Sequence, residues 1–219
     1  MWSSINQAWK TAFELGWEAF SKGNIPIGAV ITDEDGNIIS SGRNRIFEKS
    51  IYNHKIAHAE TEALFKLDIS KYPNVHSYTL YACMEPCPMC FGAFVMSNLR
   101  TLRVAARDGY CGSVHYRDKD PYVASKNIQA DFELGSLEIV QLVMHTYFEL
   151  KRHDGRMNVV TEIFERDNPV ATQIAKSLYV ENRLDWHVAS KTAFSHVYDE
   201  IVMYTKQPNG KTEAWGIIG

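Results

Sequence analysis

Two short runs decide how this chain is read: His58-Ala59-Glu60, and Glu85-Pro86-Cys87-Pro88-Met89-Cys90. Together they spell H-x-E, then one helix-and-strand length of chain, then P-C-x-x-C. Two thiolates and one neutral imidazole form a ligand set for Zn²⁺, with Zn–S near ~2.3 Å and Zn–N near ~2.0 Å. Three protein ligands leave the fourth tetrahedral position open, which marks a catalytic rather than a structural zinc. A zinc so held lowers the pKa of bound water to roughly 7. His58, Cys87 and Cys90 are therefore the expected ligands. Glu60 lies two residues past His58, close enough to exchange a proton with that water without binding the metal. Pro86 biases its neighbour away from helical angles, so a helix is expected to begin at the cysteines. The free N–H groups and partial positive charge at a helix start favour the thiolate.

Other chemistries use parts of the same pattern. Cys87-x-x-Cys90 alone fits a redox pair or half of a structural zinc site. A redox pair gives no reason for the upstream H-x-E, and a structural zinc needs a fourth Cys or His. Cys83 and Cys111 are single, and no spacing motivates either.

Working outward, the first twenty residues carry Ile5, Ala8, Trp9, Ala12, Phe13, Trp17 and Phe20 at three- and four-residue steps, an amphipathic helix. Ser4 with Gln7 fits a capping box at its start, and Gly23-Asn24 closes it. Ile27–Thr32 and Ile38–Ser41 read as strands joined by an Asp35-Gly36 hairpin. A helix is expected over Ile56–Leu67, a strand over Tyr78–Ala82, a second metal-bearing helix over Phe91–Met96, and a strand over Leu102–Ala106. Leu137–Val143, β-rich, is expected to be the last core strand. The alternation argues an α/β layered fold with parallel neighbours in its later part. Beyond it, a short helix or strand is expected at Met157–Phe164, a helix opening at Asn168-Pro169, and another over Leu184–Ile201. The end from Gln207 is rich in turn-formers. The expected division is a zinc-bearing domain at 1–150 and a mainly helical extension at 151–219.

The pieces from about Phe13 to Asp108 resemble the cytidine-deaminase-like superfamily, in the branch holding tRNA adenosine deaminases and guanine deaminases. The resemblance rests on Ile25-Pro26-Ile27-Gly28-Ala29-Val30, Gly42-Arg43-Asn44-Arg45, His58-Ala59-Glu60, the run from Glu85 to Cys90 with Phe91-Gly92-Ala93, and Ala106-Arg107-Asp108. It implies a three-layer α/β/α sandwich with a mixed central sheet, one catalytic Zn²⁺ per chain, and Glu60 as the proton shuttle. It also implies that Asn44 hydrogen-bonds the ring or sugar of a substrate. Family habit implies a homodimer. Asp108 is a candidate acceptor for a substrate amine or hydroxyl. Tyr110 is a candidate pocket wall. The N–H of Ala59, at a helix start, is placed to stabilise developing charge.

Length, composition and charge narrow the substrate. A chain of 219 residues buries a sizeable core. The formal net charge of −3 gives no electrostatic footprint for nucleic acid or anionic membrane. The region after Met157 balances acid and base, unlike a basic RNA-gripping tail. These features favour hydrolytic deamination of a small nucleobase or nucleoside, of guanine or cytosine type. The alternative is adenosine-to-inosine deamination in tRNA, and a second is a non-catalytic zinc-stabilised binding subunit. Lys10, Glu14 and Glu18 break every apolar run near the start, and no run reaches a membrane span. Four cysteines, two assigned to metal, point to a reducing compartment, the cytoplasm.

Overall fold

The computed structural model describes residues 1–206. Its five strands are β1 (Gly28–Thr32), β2 (Ile38–Arg43), β3 (Thr79–Met84), β4 (Thr101–Ala106) and β5 (Gln129–Phe132). They form one sheet in the order β2-β1-β3-β4-β5. β1 runs antiparallel to β2 and β3, while β3, β4 and β5 are parallel. The β1–β2 hairpin forms where the Asp35-Gly36 signal places it. Gly36 takes φ 84°, and the Asp33 carboxylate accepts from the N–H groups of Asp35 and Asn37. In the parallel pair Ala82 faces Val104 and Met84 faces Ala106, so β3 and β4 end side by side.

The helices are α1 (Gln7–Ser21), α2 (Ala59–Lys66), α3 (Pro88–Met96), α4 (Pro121–Ala124), α5 (Ser136–Arg152), α6 (Val159–Asp167), α7 (Pro169–Val180), α8 (Arg183–Ala189) and α9 (Phe194–Tyr204). α2 and α3 cover one face of the sheet over Ala29, Ile31, Leu80, Leu102 and Val104. α1 and α5 cover the other over Val30, Cys83, Met84 and Ala105. The result is the expected α/β/α sandwich with a mixed sheet. Gly42 lets α2 lie flush on β2, because a Cβ there would fall 2.3 Å from the Ala59 carbonyl oxygen.

Several expectations change in physical detail. α1 is capped by Asn6, whose side chain accepts from Trp9 N at 2.9 Å, and Ser4 belongs to a preceding short turn, so the Ser4–Gln7 box does not form. Leu137–Val143 is not a strand but the first half of α5. Residues from Val140 to Leu150 are buried on every side of that helix, because the sheet lies against one face and α7 and α9 against the others. A helix buried all round loses the polar stripe that reveals its period. The last strand is β5, a four-residue edge strand of alternating exposure. Met157–Phe164 falls largely in α6. The helix expected over Leu184–Ile201 is two, α8 and α9, broken where Lys191 adopts φ 51°. The turn-rich end from Gln207 lies outside the described residues.

Helices α7 to α9 share their apolar core with α1 and α5: Ala171, Ile174, Leu178, Phe194, Val197, Tyr198 and Ile201 pack with Phe13, Phe20, Val143 and Tyr147. Among the described residues no helix is long and apolar enough to cross a membrane.

A charged tie pins α8 to α9. Glu200 accepts from Arg183 Nε at 2.6 Å and from the buried His187 Nε2 at 2.8 Å. Burial alone raises the Glu200 carboxyl, but the hydrogen bonds from His187 and Arg183 outweigh it and hold the pKa at about 2, against an ordinary 4.5. A carboxyl depressed by folding contributes stability that is present above the unfolded value and lost as pH falls toward the folded one. Glu200→Gln is therefore expected to lower Tm near neutral pH. The gap from wild type should close as pH drops from about 5 toward about 2. A gap in melting temperature that stays constant over that range would show that the tie carries no linked stability.

Candidate metal centre and active site

Each ligand candidate sits at a helix start. His58 is the N-cap of α2 and Cys87 the N-cap of α3, both with extended backbone, and Pro88 takes the first position of α3. The His58 turn is held by Thr61, whose hydroxyl accepts from His58 N at 3.1 Å and donates to the Ile56 carbonyl at 2.6 Å. Cys90, one turn into α3, is fully buried.

One nitrogen of His58 and the sulfurs of Cys87 and Cys90 all lie within 4.8 Å of one another. His58 Nδ1 is 3.7 Å from Cys87 Sγ. A tetrahedral zinc with ordinary Zn–S and Zn–N lengths sets that separation at about 3.6 Å. The donor chemistry fits as well. The Cys90 thiol hydrogen-bonds Cys87 and, with His58 and against burial, brings the Cys87 thiol down to about 4. Cys90, donating to Cys87 and buried beside Glu60, is pushed far above the usual thiol range. Two adjacent sulfurs thus share one negative charge unless a dication lies between them. The residues fit a zinc ion, and this is the His/Cys/Cys zinc site of the fold.

Glu60 is 3% exposed and outside the ligand set. Burial raises its carboxyl to about 6, partly offset by its own backbone N–H and by His58. Ala59, fully buried, is the first residue of α2, so its N–H is one of the free donors at that terminus.

Asn44 follows β2 and is 1% exposed. Its backbone N–H donates to Ile27 O at 2.9 Å and its side-chain oxygen accepts from Ile46 N at 3.2 Å. The side-chain NH₂ has no protein partner among the described residues. The flanking arginines are occupied: Arg43 pairs with Glu18 and Glu48, and Arg45 with Glu48 and Glu62. Neither is a free phosphate binder.

Asp108 stands at the end of β4, but its carboxylate closes its own turn. Oδ1 accepts from Tyr110 N at 2.9 Å and Cys111 N at 3.1 Å, and the Cys111 thiol donates to Oδ2 at 3.1 Å. Tyr110 projects from the same turn, 54% exposed. His115 is exposed and lies against Tyr116, with ring centroids 4.2 Å apart, outside the ligand set. Sequence reasoning quoted Glu85 only as part of a motif. In the fold its carboxylate accepts from Asp108 N and Val114 N.

The family description "cytidine and deoxycytidylate deaminase zinc-binding region" matches residues 3–106. A tRNA-specific adenosine deaminase of Haemophilus influenzae is 33% identical over 150 residues, 67% of this chain and 84% of the relative. One from Rickettsia bellii is 40% identical over 98 residues, 44% of this chain and 66% of the relative. A solved guanine deaminase of Nitrosomonas europaea aligns with a TM-score of 0.52 at 22% identity, covering 64% of this chain and 82% of its own. At that identity the likeness speaks to fold alone. With its zinc ligands converging at two helix starts, and with these relatives beside it, the chain belongs to the cytidine and deoxycytidylate deaminase family of zinc-dependent enzymes.

Proposed function

We propose that this protein hydrolytically deaminates an adenine-type amino group, with adenosine in a tRNA loop as the substrate. The observation that carries the reaction is the convergence of His58, Cys87 and Cys90 beside a buried carboxylate that does not bind the metal. Zinc held by the three ligands supplies water activated at neutral pH. Glu60 takes one proton from the attacking water and passes it to a ring nitrogen, then takes the second from the added hydroxyl and gives it to the departing amine, the work of a positioned carboxylate. The N–H of Ala59 stabilises charge that develops at the reacting carbon. The unpaired NH₂ of Asn44 donates to the ring or sugar. Ammonia leaves, and an oxo base remains.

The RNA assignment reverses the preference that overall charge gave, and two observations support it. The Haemophilus relative, a tRNA-specific adenosine deaminase, aligns over most of its length. The loop from Arg45 to Ala57, closed by Arg45 N donating to Ala57 O, joins Asn44 to His58. At its tip Tyr52 is fully exposed, and Lys49 and Lys55 enter no ion pair among the described residues. An exposed ring between unpaired cations suits a base stack on a nucleic-acid backbone. A second reading, deamination of a free guanine-type base, is favoured by the net charge of −3 and by the capture of Arg43 and Arg45. In either case α7 to α9 act as an added layer on α1 and α5, and dimerisation is tested by sedimentation.

Ammonia release from an anticodon stem-loop, adenosine, guanine and cytosine distinguishes these readings. Glu60→Ala is expected to keep one zinc per chain and to lose turnover by about 10² or more. Equal turnover of wild type and variant rejects a role for Glu60, and no turnover by either leaves a binding subunit. With the stem-loop as substrate, Lys49→Glu with Lys55→Glu is expected to raise KM and flatten its salt dependence. Turnover of guanine alone, with no effect of this pair, establishes the second reading.

A further inference from the structure

The zinc turn and the loop after β4 are separate pieces of chain, and one side chain joins them. β3 and β4 end in register, so Glu85 N donates to Ala106 O at 2.8 Å, and the two chains then diverge. Past that point the Glu85 carboxylate bridges the gap. Its Oε2 accepts from Asp108 N at 3.2 Å and its Oε1 from Val114 N at 3.1 Å, the two ends of the loop. Ser113 N donates to Pro86 O at 3.0 Å alongside. Between these anchors the loop is self-closed: Gly112 N donates to Asp108 O, and the Asp108 carboxylate takes the N–H groups of Tyr110 and Cys111. The loop is therefore closed on itself, and it is attached to the metal turn by the Glu85 carboxylate together with the Ser113–Pro86 backbone bond.

Gly112 shows how closely the carboxylate is fitted. A Cβ at that position would lie 2.4 Å from the Glu85 carboxyl carbon and 2.5 Å from the Asp108 carbonyl oxygen. The second of these is backbone and cannot swing away. Only glycine leaves room for the carboxylate beneath the loop.

We propose that Glu85 is a positioning residue, setting the placement of the 108–114 loop, with Tyr110 at its outer edge, against the metal-bearing turn. It is not one of the metal ligands; it acts by accepting two backbone N–H groups at once. Only a carboxylate of this length does so. Glutamine retains one acceptor oxygen and turns an NH₂ toward the other donor, and aspartate is one methylene short.

Two measurements test this. In hydrogen exchange, Glu85→Gln and Gly112→Ala are each expected to lose protection of at least about tenfold at the amides of Asp108 and Val114, with α2 and α3 unchanged and one zinc still bound per chain. In steady-state kinetics on whichever substrate the wild type turns over, both variants should raise KM at least tenfold while kcat falls less than threefold. Glu85→Asp should fail to restore KM. Unchanged protection at 108 and 114 in Glu85→Gln overturns the proposal. So does loss of zinc in step with the KM change, which would place the residue's role in the metal turn. The kinetic half rests on the deaminase reading and the exchange half does not. If no substrate is turned over, that reading fails while exchange still decides the role of Glu85.

Discussion

Two sulfurs and an imidazole nitrogen gathered within 4.8 Å are the constraint on which the rest of this structure depends. Left to themselves such groups oppose one another: Cys87 is drawn toward the thiolate and Cys90 is forced away from it. A dication reverses the balance, because every donor in the cluster then gains from its charge. The protein's task is to hold the three donors in the geometry that a dication needs. It does so with helix termini, whose unpaired N–H groups favour negative charge at Cys87. It also orients His58 from both ends, with Thr61 fixing the turn and the Lys55 backbone hydrogen-bonding the imidazole.

That arrangement is a product of sheet register. α2 and α3 lie on one face, and their starts meet because β1 runs antiparallel to both β2 and β3, so the strands that feed the two helices end on the same side. Gly42 brings α2 down onto β2, which places Glu60 in the dry interior. Burial then raises its carboxyl toward neutrality. The same register ends β3 and β4 together and leaves a gap for Glu85 to span. Packing, pKa and loop placement thus have one geometric source.

The site was far more legible in sequence than the packing around it. Metal chemistry fixes residue type and spacing, so H-x-E and P-C-x-x-C announce themselves in a single chain. The hairpin was legible for a similar local reason, since Asp35-Gly36 meets a demand for positive φ. α5 was hidden because Val140 to Leu150 are buried on all sides, and the polar stripe that distinguishes a helix from a β-rich run is erased. β5 was hidden for the opposite reason: four residues at a half-exposed edge bury too little to leave a pattern. Asp108 was read as a free acceptor because its backbone donors, Tyr110 and Cys111, become partners only once the turn forms. Such local side-chain to backbone bonds are common for aspartate. Glu85 gave a weaker signal, a carboxylate beside the metal motif paired with a distant glycine whose crowding only the fold reveals.

Charge summed over a chain is a poor guide to charge at a site, and the two diverge here for a structural reason. The added helices α6 to α9 carry their acids and bases largely as matched pairs, including Lys176 with Glu165 and Arg183 with Glu200. Beside the metal centre, Glu48 and Glu62 are spent on Arg43 and Arg45. Those arginines, lost to phosphate, in turn neutralise the carboxylates that would repel it. What remains unmatched on the Arg45–Ala57 loop is Lys49 and Lys55 around an exposed tyrosine. A field of that kind decays within about 10 Å at 0.1 M salt, so a polyanion at the loop senses those lysines more than the distant total. The net charge of −3 therefore weakens long-range steering while leaving short-range contact intact. An enzyme built this way relies on shape and contact near the zinc to select its substrate, which makes the placement of the loops on either side of it the quantity that matters.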